Sequence, residues 1–196
     1  MPRSYSMGRR AQAVTATRQR ILDAALALYQ EQGIAATTMQ DVARRADVAP
    51  GTVANHFGTA AALAAEAGQR LLSDLHLPPP EVFDGVDTLE GRVRILTREL
   101  AVFFKRSDPW FLVWQREPGS IEAWAEVEQR YYREFEVLMR AAVGTLAADA
   151  DNVLVAASLI TPPVLGALEA AGRSSDEAAD LLSSVLMAWL ATRDTA

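Results

Sequence analysis

Polar side chains that can hydrogen-bond to a nucleic-acid duplex are concentrated between residues 20 and 63. Three short helical patterns follow one another there, separated by turn residues, and the third carries Thr52, Asn55 and His56. Hydroxyl, amide and imidazole groups can bond to phosphates and to base edges. The segment is therefore typical of a helix-turn-helix motif whose third helix would contact DNA.

Local signals predict the helices that would hold these side chains. Apolar residues recur at helical spacing in a first helix from about Thr17, and Gly33 is its expected stop. Thr38, followed three residues later by Asp41, predicts a capping box at the start of a second helix. Pro50 suits the first turn of a third helix, which is expected to run to residue 57.

The remainder of the chain also shows helical spacing and no alternating strand pattern. A fourth helix, capped by Thr59, is expected to reach His76 and to stop at the proline run 78–80. Further helices are predicted at about 88–106, 109–117, 120–144, 150–171 and 176–193. Pro109 is expected to separate two of them, and Pro162-Pro163 to kink or split another. The fold class is therefore all-α, with an N-terminal three-helix head and a larger helical body.

Composition and charge narrow the class of protein. The chain has 196 residues, 50% hydrophobic and 22% charged, and contains no cysteine, which excludes disulfides and thiolate metal sites. Residues 1–70 carry a net charge of +3, eight Arg against five Asp and Glu, whereas the remainder carries −9. This asymmetry favours a basic DNA-contacting head on an acidic body. Without an apolar leader or an apolar run near 18 residues, a cytoplasmic protein with no membrane association is expected.

The N-terminal pattern resembles the TetR family of transcriptional repressors over about a quarter of the chain. The matching positions share the spacing of the family's helix-turn-helix: Ile21, Ala24, Ala25, Leu28, Tyr29, Gly33, Thr37, Thr38, Val42, Ala43, Ala46, Val48, Ala49, Gly51, Thr52, Val53, His56, Phe57 and Leu63. The resemblance implies an all-α homodimer. It also implies a small molecule that binds in the body and releases the DNA operator.

The resemblance also assigns roles by position. Thr38 would bind a phosphate at the start of the second helix, Gln40 would read a base edge, and Pro50 and Gly51 would approach the groove. The remaining candidate DNA contacts are Thr52, Asn55 and His56, with Arg44 and Arg45 as further cations. Arg44 and Arg45 could equally be a solvated helix face. Arg3, Arg9 and Arg10 could form either a disordered tail or an arm in the minor groove.

Two positions depart from the family pattern. Ala54 replaces a usual aromatic, and Ala60 replaces a lysine usual at the start of the fourth helix. The expected domains are a flexible basic arm at 1–14, a DNA-binding domain at 15–60, and a ligand-binding and dimerisation domain at 61–196.

Aromatic residues of the body are candidates for lining an effector pocket, although a packed core would use the same residues. The candidates are Phe103, Phe104, Trp110, Phe111, Trp114, Trp124 and Tyr131. Gln115, Arg116 and Tyr131 could orient a ligand, and Glu99 or Glu128 could meet a cationic one. The effector is unknown, and the apolar lining favours a hydrophobic molecule.

The last two helices are the expected homodimer interface. Their apolar residues could instead pack inside the chain; they are Leu159, Leu165, Leu168, Leu182, Val185, Leu186, Trp189 and Leu190. Close helix approach would be allowed by Ala156, Ala157, Gly166 and Ala167.

A ligand-responsive DNA-binding repressor is thus the leading hypothesis. A helical interaction protein of the same fold that has lost specific DNA binding is the alternative, motivated by Ala54 and Ala60. No catalytic residue, metal ligand or cofactor is expected, because phosphate-loop, H-E-x-x-H and nucleophile-elbow motifs are absent from the sequence.

Overall fold

The computed structural model describes the backbone of residues 3–117 and 122–193, and the side chains of these residues except 3–10 and 123. Over this part of the chain the fold is all-α, without strands, as the sequence predicts. The helices are α1 (Arg3–Gln32), α2 (Met39–Arg45), α3 (Pro50–Phe57), α4 (Ala60–Leu75), α5 (Leu89–Arg116), α6 (Glu122–Val143), α7 (Ala150–Leu159), α8 (Pro162–Ala170) and α9 (Ser175–Ala191). Two short 3-10 helices lie at Pro80–Phe83 and Gly144–Ala148.

The chain divides into two compact units. Unit 1 comprises Met1–Asp74 and Leu112–Glu128, and unit 2 comprises Leu75–Phe111 and Gln129–Ala196. Helices α5 and α6 therefore each contribute residues to both units.

Unit 1 is built around the apolar faces of its short helices. Its buried side chains, which alternate at helical spacing with exposed ones, include Ile21, Ala25, Leu28, Tyr29, Val42, Val53, Phe57, Leu63, Ala67, Leu71, Val113, Trp124 and Val127. Helices α2 and α3 are too short to be stable alone. They are stabilised by the burial of their apolar side chains, which contributes about 25 cal/mol for each Å² of apolar surface removed from water.

Unit 2 has its own core, formed by α5 to α9. Its fully buried side chains include Leu96, Leu100, Leu138, Met139, Ile160, Leu186 and Leu190. Asn152 is a polar group within this core, 1% exposed, and it is satisfied on both sides. Its Nδ2 donates to the Leu146 carbonyl at 3.0 Å, and its Oδ1 accepts from Trp189 Nε1 at 3.2 Å. These bonds fix α7 and α9 to the second 3-10 helix.

Most predicted helix boundaries are confirmed. Gly33 ends α1 with φ of +91°, a left-handed conformation that glycine adopts without strain. Pro50 lies in the first turn of α3, and Thr59 Oγ1 caps α4 by accepting from the Ala62 amide at 3.1 Å. The prolines at 162 and 163 split the predicted 150–171 helix into α7 and α8.

Two predictions of helix limits are wrong. Helix α1 begins at Arg3 rather than near Thr17, and its residues 11–16 are exposed. A solvated stretch of helix-forming residues carries no apolar periodicity, so the pattern did not detect it.

The second wrong prediction is that Pro109 separates two helices. Pro109 lies inside the continuous helix α5. It is exposed, and so is Lys105, whose carbonyl loses its usual amide partner to the proline ring. Water can satisfy that carbonyl. Trp110 and Val113 beyond the proline are buried and continue the apolar face of α5.

Within the described residues, no single helix is long and apolar enough to cross a membrane. The pair Ala150–Leu159 and Pro162–Ala170, which is bent by 42°, has the length and apolar composition of a membrane span only when its two helices are taken together.

Candidate nucleic-acid interface

The N-terminus of α2 is held by a complete capping box. The Asp41 amide donates to Thr38 Oγ1 at 3.2 Å, and the Thr38 backbone amide and hydroxyl donate to Asp41 Oδ2 at 3.2 and 2.6 Å. These hydrogen bonds from Thr38, with Arg44 close by, hold the pKa of Asp41 below its ordinary value. The predicted phosphate contact of Thr38 would therefore compete with Asp41 for the hydroxyl proton.

Helix α3 separates core from exposed residues as the sequence predicts. Val53 and Phe57 are 0% and 7% exposed, so they anchor the helix and cannot contact a duplex. Pro50, Gly51 and Asn55 are exposed. The candidates at 52 and 56 are half-buried, as is expected for residues at the edges of that exposed face.

The exposed face of α3 carries small side chains as well as polar ones. Apart from the neighbouring residues and backbone of its own helix, no heavy atom of the described residues lies within 4 Å of a Cβ placed on Gly51, so the backbone there can be approached closely. Ala54 lies on the same face, and Ala60 is exposed at the start of α4. The two departures from the family pattern therefore remove side chains from solvent-facing positions rather than from the core.

Further candidate contacts lie on α2. Gln40 is exposed in the first turn. The side chain of Arg44 is 77% exposed and pairs with Asp41 at 2.9 Å, which leaves most of the guanidinium accessible. Arg45 is engaged by both carboxylate oxygens of Glu31, at 2.9 and 2.5 Å, and that partner raises its pKa. Arg44 is thus the more available cation. The side chains of Arg3, Arg9 and Arg10 lie outside the described residues.

Arg18 is a structural residue of this site that the sequence analysis missed. Its guanidinium donates to both carboxylate oxygens of Glu66 on α4 and to the carbonyl of His56 at 2.7 Å. The same group lies over the Phe57 ring, 4.3 Å from its centroid. One side chain of α1 therefore fixes the C-terminal end of α3 and the face of α4. No local spacing could have found it, because its partners are 38 and 48 residues away.

The aromatic candidates for an effector pocket fall into two groups. In unit 2, Phe103 stacks on Tyr131 with ring centroids 6.3 Å apart and meets Phe104 edge-on at 5.4 Å. Tyr131 also stacks on Phe135 at 5.7 Å. Burial raises the pKa of Tyr131, so its hydroxyl stays a neutral hydrogen-bonding group. Trp110 is buried, and Phe111 is half-buried.

The second aromatic group lies in unit 1. Trp124 meets Tyr29 edge-on at 6.4 Å and Trp114 at 6.0 Å, and its Nε1 donates to the Ala64 carbonyl at 2.8 Å. Burial raises the pKa of Tyr29 to about 12. A Cβ added at Gly68 would lie only 3.2 Å from Trp124 Cε2, so the indole packs directly on α4. These contacts give Trp124 a structural role in unit 1.

The polar candidates near the aromatics are mostly solvated. Gln115, Arg116 and Glu99 are exposed, and Glu128 is half-buried. A separate surface cavity of about 540 Å³ lies in unit 2, lined by Glu90, Arg94, Arg98, Asp180, Ser183, Ser184 and Met187. Arg94 pairs with Glu90 at 2.7 Å, and Arg98 with Asp180 at 3.0 Å. Among the described residues, no group of three or more His, Asp or Glu side chains is placed to hold a metal ion.

The expected dimer residues divide between core and surface. Leu165, Leu182, Leu186 and Leu190 are buried inside unit 2, so they stabilise the chain itself. Val185 on α9, also among the expected residues, is 47% exposed. Leu154 on α7 and Leu181 on α9, which the sequence analysis did not name, are 63% and 37% exposed. The alternative of intrachain packing therefore applies to the buried leucines, whereas Val185, Leu154 and Leu181 are apolar side chains that the chain leaves exposed.

The helix-turn-helix geometry agrees with a known family. The model of bacterial regulatory proteins, tetR family, matches residues 21–67, which include α2, α3 and the first half of α4. The similarity to the tetR family at the level of sequence is thus carried by residues 21–67. Among curated proteins, none matches the chain.

Solved structures extend the TetR likeness to the whole fold. A TetR-like transcriptional regulator from Rhodococcus sp. RHA1 is 22% identical, with 89% of this chain and 96% of that chain covered and a TM-score of 0.65. A TetR-family regulator from Mesorhizobium loti MAFF303099 is 20% identical, with 91% and 97% covered and a TM-score of 0.58. The multidrug binding protein EbrR, complexed with proflavin, is 25% identical, with 86% and 98% covered and a TM-score of 0.53. The chain therefore has the fold of TetR regulators.

Proposed function

We propose that this protein is a ligand-responsive repressor that binds a pseudo-palindromic DNA operator as a homodimer. The observation that carries this proposal is the exposed face of α3, where Pro50, Gly51 and Asn55 face solvent while Val53 and Phe57 anchor the helix. A rigid helix with a small and polar outer face fits the major groove, which admits an α-helix. The tetR match over the same residues supports it.

Homodimerisation supplies the specificity that one head lacks. A single helix-turn-helix buries too little surface for operator-level discrimination, and two heads about one helical turn apart would read two half-sites. Leu154 on α7, and Leu181 and Val185 on α9, are exposed apolar side chains that a second copy would cover. Gly166 and Ala167 are also exposed and would allow close approach of α8.

The effector is proposed to be a small, mainly apolar molecule that binds among the rings of unit 2. Phe103, Phe104, Tyr131 and Phe135 offer stacking surfaces, and the Tyr131 hydroxyl offers a polar group. The similarity to a multidrug binding protein that binds proflavin favours a flat aromatic effector. Such a molecule releases DNA only if it binds the operator-competent arrangement less tightly than the other.

The alternative is an interaction protein of the same fold without specific DNA binding. It is motivated by Ala54 and Ala60, which are exposed where the family usually carries an aromatic and a lysine. Loss of one phosphate contact per head removes about two per dimer and lowers the salt slope of binding by about 0.9 for each. Such a loss reduces affinity without abolishing it.

Fluorescence anisotropy tests the two functions directly. Duplexes selected by the protein from a random-sequence pool are titrated at several salt concentrations against scrambled competitor. Binding of one dimer per palindrome that survives competitor supports the repressor. Weak binding that competitor removes completely supports the alternative. Ala60→Lys is the matched variant: it should strengthen non-specific binding, and it should strengthen binding to a selected palindrome only if the head reads sequence.

A further inference from the structure

The turn between α1 and α2 (residues 33–37) receives a carboxylate from the far end of α5. Glu117 Oε2 accepts hydrogen bonds from the backbone amides of Ile34 at 3.1 Å and Ala35 at 3.2 Å. These partners are 83 and 82 residues away in sequence, and all lie in unit 1. The chain thus uses a distant acid to satisfy two consecutive backbone donors.

Gly33 adapts the turn to this carboxylate. Its φ of +91° is left-handed, and the next two amides along the chain, those of Ile34 and Ala35, both donate to the same carboxylate oxygen. A Cβ at this position would overlap Glu117 Oε1. The backbone conformation therefore favours glycine, and any larger residue here would have to displace the carboxylate from the turn.

Local forces do not explain the position of Glu117. It directly follows the C-terminal end of α5, where the helix dipole disfavours an anion. The turn that it meets also lies at the C-terminal end of α1. The two amide donors are what offset this cost, so the contact depends on tertiary structure.

Hydrogen bonds within the turn connect it to the start of α2. The Thr37 amide donates to the Ile34 carbonyl at 3.1 Å, and the Thr37 hydroxyl donates to the Gly33 carbonyl at 2.6 Å. Thr38, the next residue, caps α2 and is a candidate phosphate contact. Fixing residues 34 and 35 therefore fixes the point at which α2 begins.

We propose that Glu117 is a positioning residue for operator binding: its carboxylate orders the α1–α2 turn and thereby places the N-terminus of α2 against DNA. The part that concerns DNA rests on the function proposed above. Glu117 does not touch the duplex in this proposal, and it acts only through the backbone of the turn.

The test combines amide hydrogen exchange with DNA binding in the full-length protein. Glu117→Ala should speed exchange at Ile34 and Ala35 by at least about tenfold, the factor that corresponds to losing one charge-assisted hydrogen bond. Affinity for a selected palindrome should fall about tenfold, while non-specific affinity at low salt stays unchanged. Glu117→Gln keeps an acceptor oxygen and should give intermediate values.

Glu126→Ala is the matched control, because it removes an equal charge from an exposed position in the same part of unit 1. It should change neither the two exchange rates nor the ratio of specific to non-specific affinity. A variant that was merely less stable would speed exchange throughout unit 1 and would not be rescued by glutamine at 117.

Three results would overturn the proposal. Unchanged exchange at Ile34 and Ala35 would show that the carboxylate does not order the turn. Faster exchange with unchanged operator affinity would show that the turn does not place α2. If the wild-type protein selects no DNA sequence, the proposed function fails and the role in operator binding fails with it, while the exchange rates still decide whether Glu117 holds the turn.

Discussion

Replacement of Arg18 by methionine should loosen the C-terminal end of helix α3. Methionine keeps an unbranched stem but removes the guanidinium that bonds Glu66 and the His56 carbonyl and covers the Phe57 ring. The exposed end of α3 would then be held by its buried side chains alone. Arg20, two residues further on the same helix and exposed, is the matched control.

The size of the effect follows from the exposure of each contact. The side chains of Arg18 and Glu66 are 35% and 38% exposed, so their ion pair contributes at most about 1 kcal/mol after solvent screening. The cation–π contact with Phe57 adds about 0.5–1 kcal/mol. The charged hydrogen bond to the His56 carbonyl adds about 1 kcal/mol, at the low end for such bonds because it is partly solvated. Arg18→Met should therefore lower the free energy of unfolding by about 1.5–3 kcal/mol.

Urea and thermal unfolding of the variants measure this effect. A loss of that size corresponds to a fall in Tm of roughly 3–12 °C for a chain of this length. Arg20→Met should change the free energy of unfolding by less than about 0.5 kcal/mol. Glu66→Gln and the double variant with Arg18→Met complete a cycle, from which the coupling of the pair should be near 1 kcal/mol.

The result that would refute this reasoning is an Arg18→Met variant as stable as Arg20→Met. A coupling energy of zero in the cycle would show that the ion pair with Glu66 contributes nothing. In that case any loss of stability must come from the His56 and Phe57 contacts.

Three further changes test other parts of the structure. Because the hydrogen bond from Thr38 lowers the pKa of Asp41, the stability that this carboxylate contributes is present above its unfolded pKa and lost as pH falls through the folded one. Asp41→Asn should therefore be less stable at neutral pH and lose less stability on acidification, as measured by urea unfolding at a series of pH values. Trp124→Phe removes the donor to the Ala64 carbonyl and part of a buried ring system, which should cost about 1–3 kcal/mol in the same assay. Val185→Lys places a charge on the proposed dimer surface and should shift sedimentation velocity from dimer to monomer.

Each of these has a contrary outcome. If the free energy of unfolding of Asp41→Asn falls with decreasing pH as steeply as that of the wild type, the Asp41 carboxylate does not contribute the pH-dependent stability proposed for it. An unchanged free energy of unfolding in Trp124→Phe would show that the hydrogen bond and packing of the indole do not stabilise unit 1. A Val185→Lys protein that stays dimeric would move the interface away from the outer face of α9.

Local sequence signals determined most of the helix-turn-helix. Thr38 with Asp41, Pro50 at the start of α3 and Gly33 after α1 act through their own backbone neighbours, so their effect can be read without a fold. The division of α3 into buried Val53 and Phe57 and exposed Asn55 follows from helical periodicity in the same way.

Helical periodicity did not predict structure correctly where a helix segment packs against nothing or where burial depends on a neighbouring helix. The exposed start of α1 has no apolar stripe to reveal it, and the helix continues through Pro109 because Trp110 and Val113 are buried beyond it. The apolar residues of α9 looked alike in sequence, yet Leu186 is fully buried and Val185 is 47% exposed. Only packing against neighbouring helices separates the two.

The sequence by itself therefore determined the helices, their caps and the type of surface that α3 presents. What holds these helices in place was decided by tertiary structure alone. Arg18 meets Glu66, Glu117 meets Ile34, and Trp124 meets Ala64 across 48, 83 and 60 residues. Partners so far apart leave no trace in local spacing, because they come together only after the chain has paid the entropy of closing those loops.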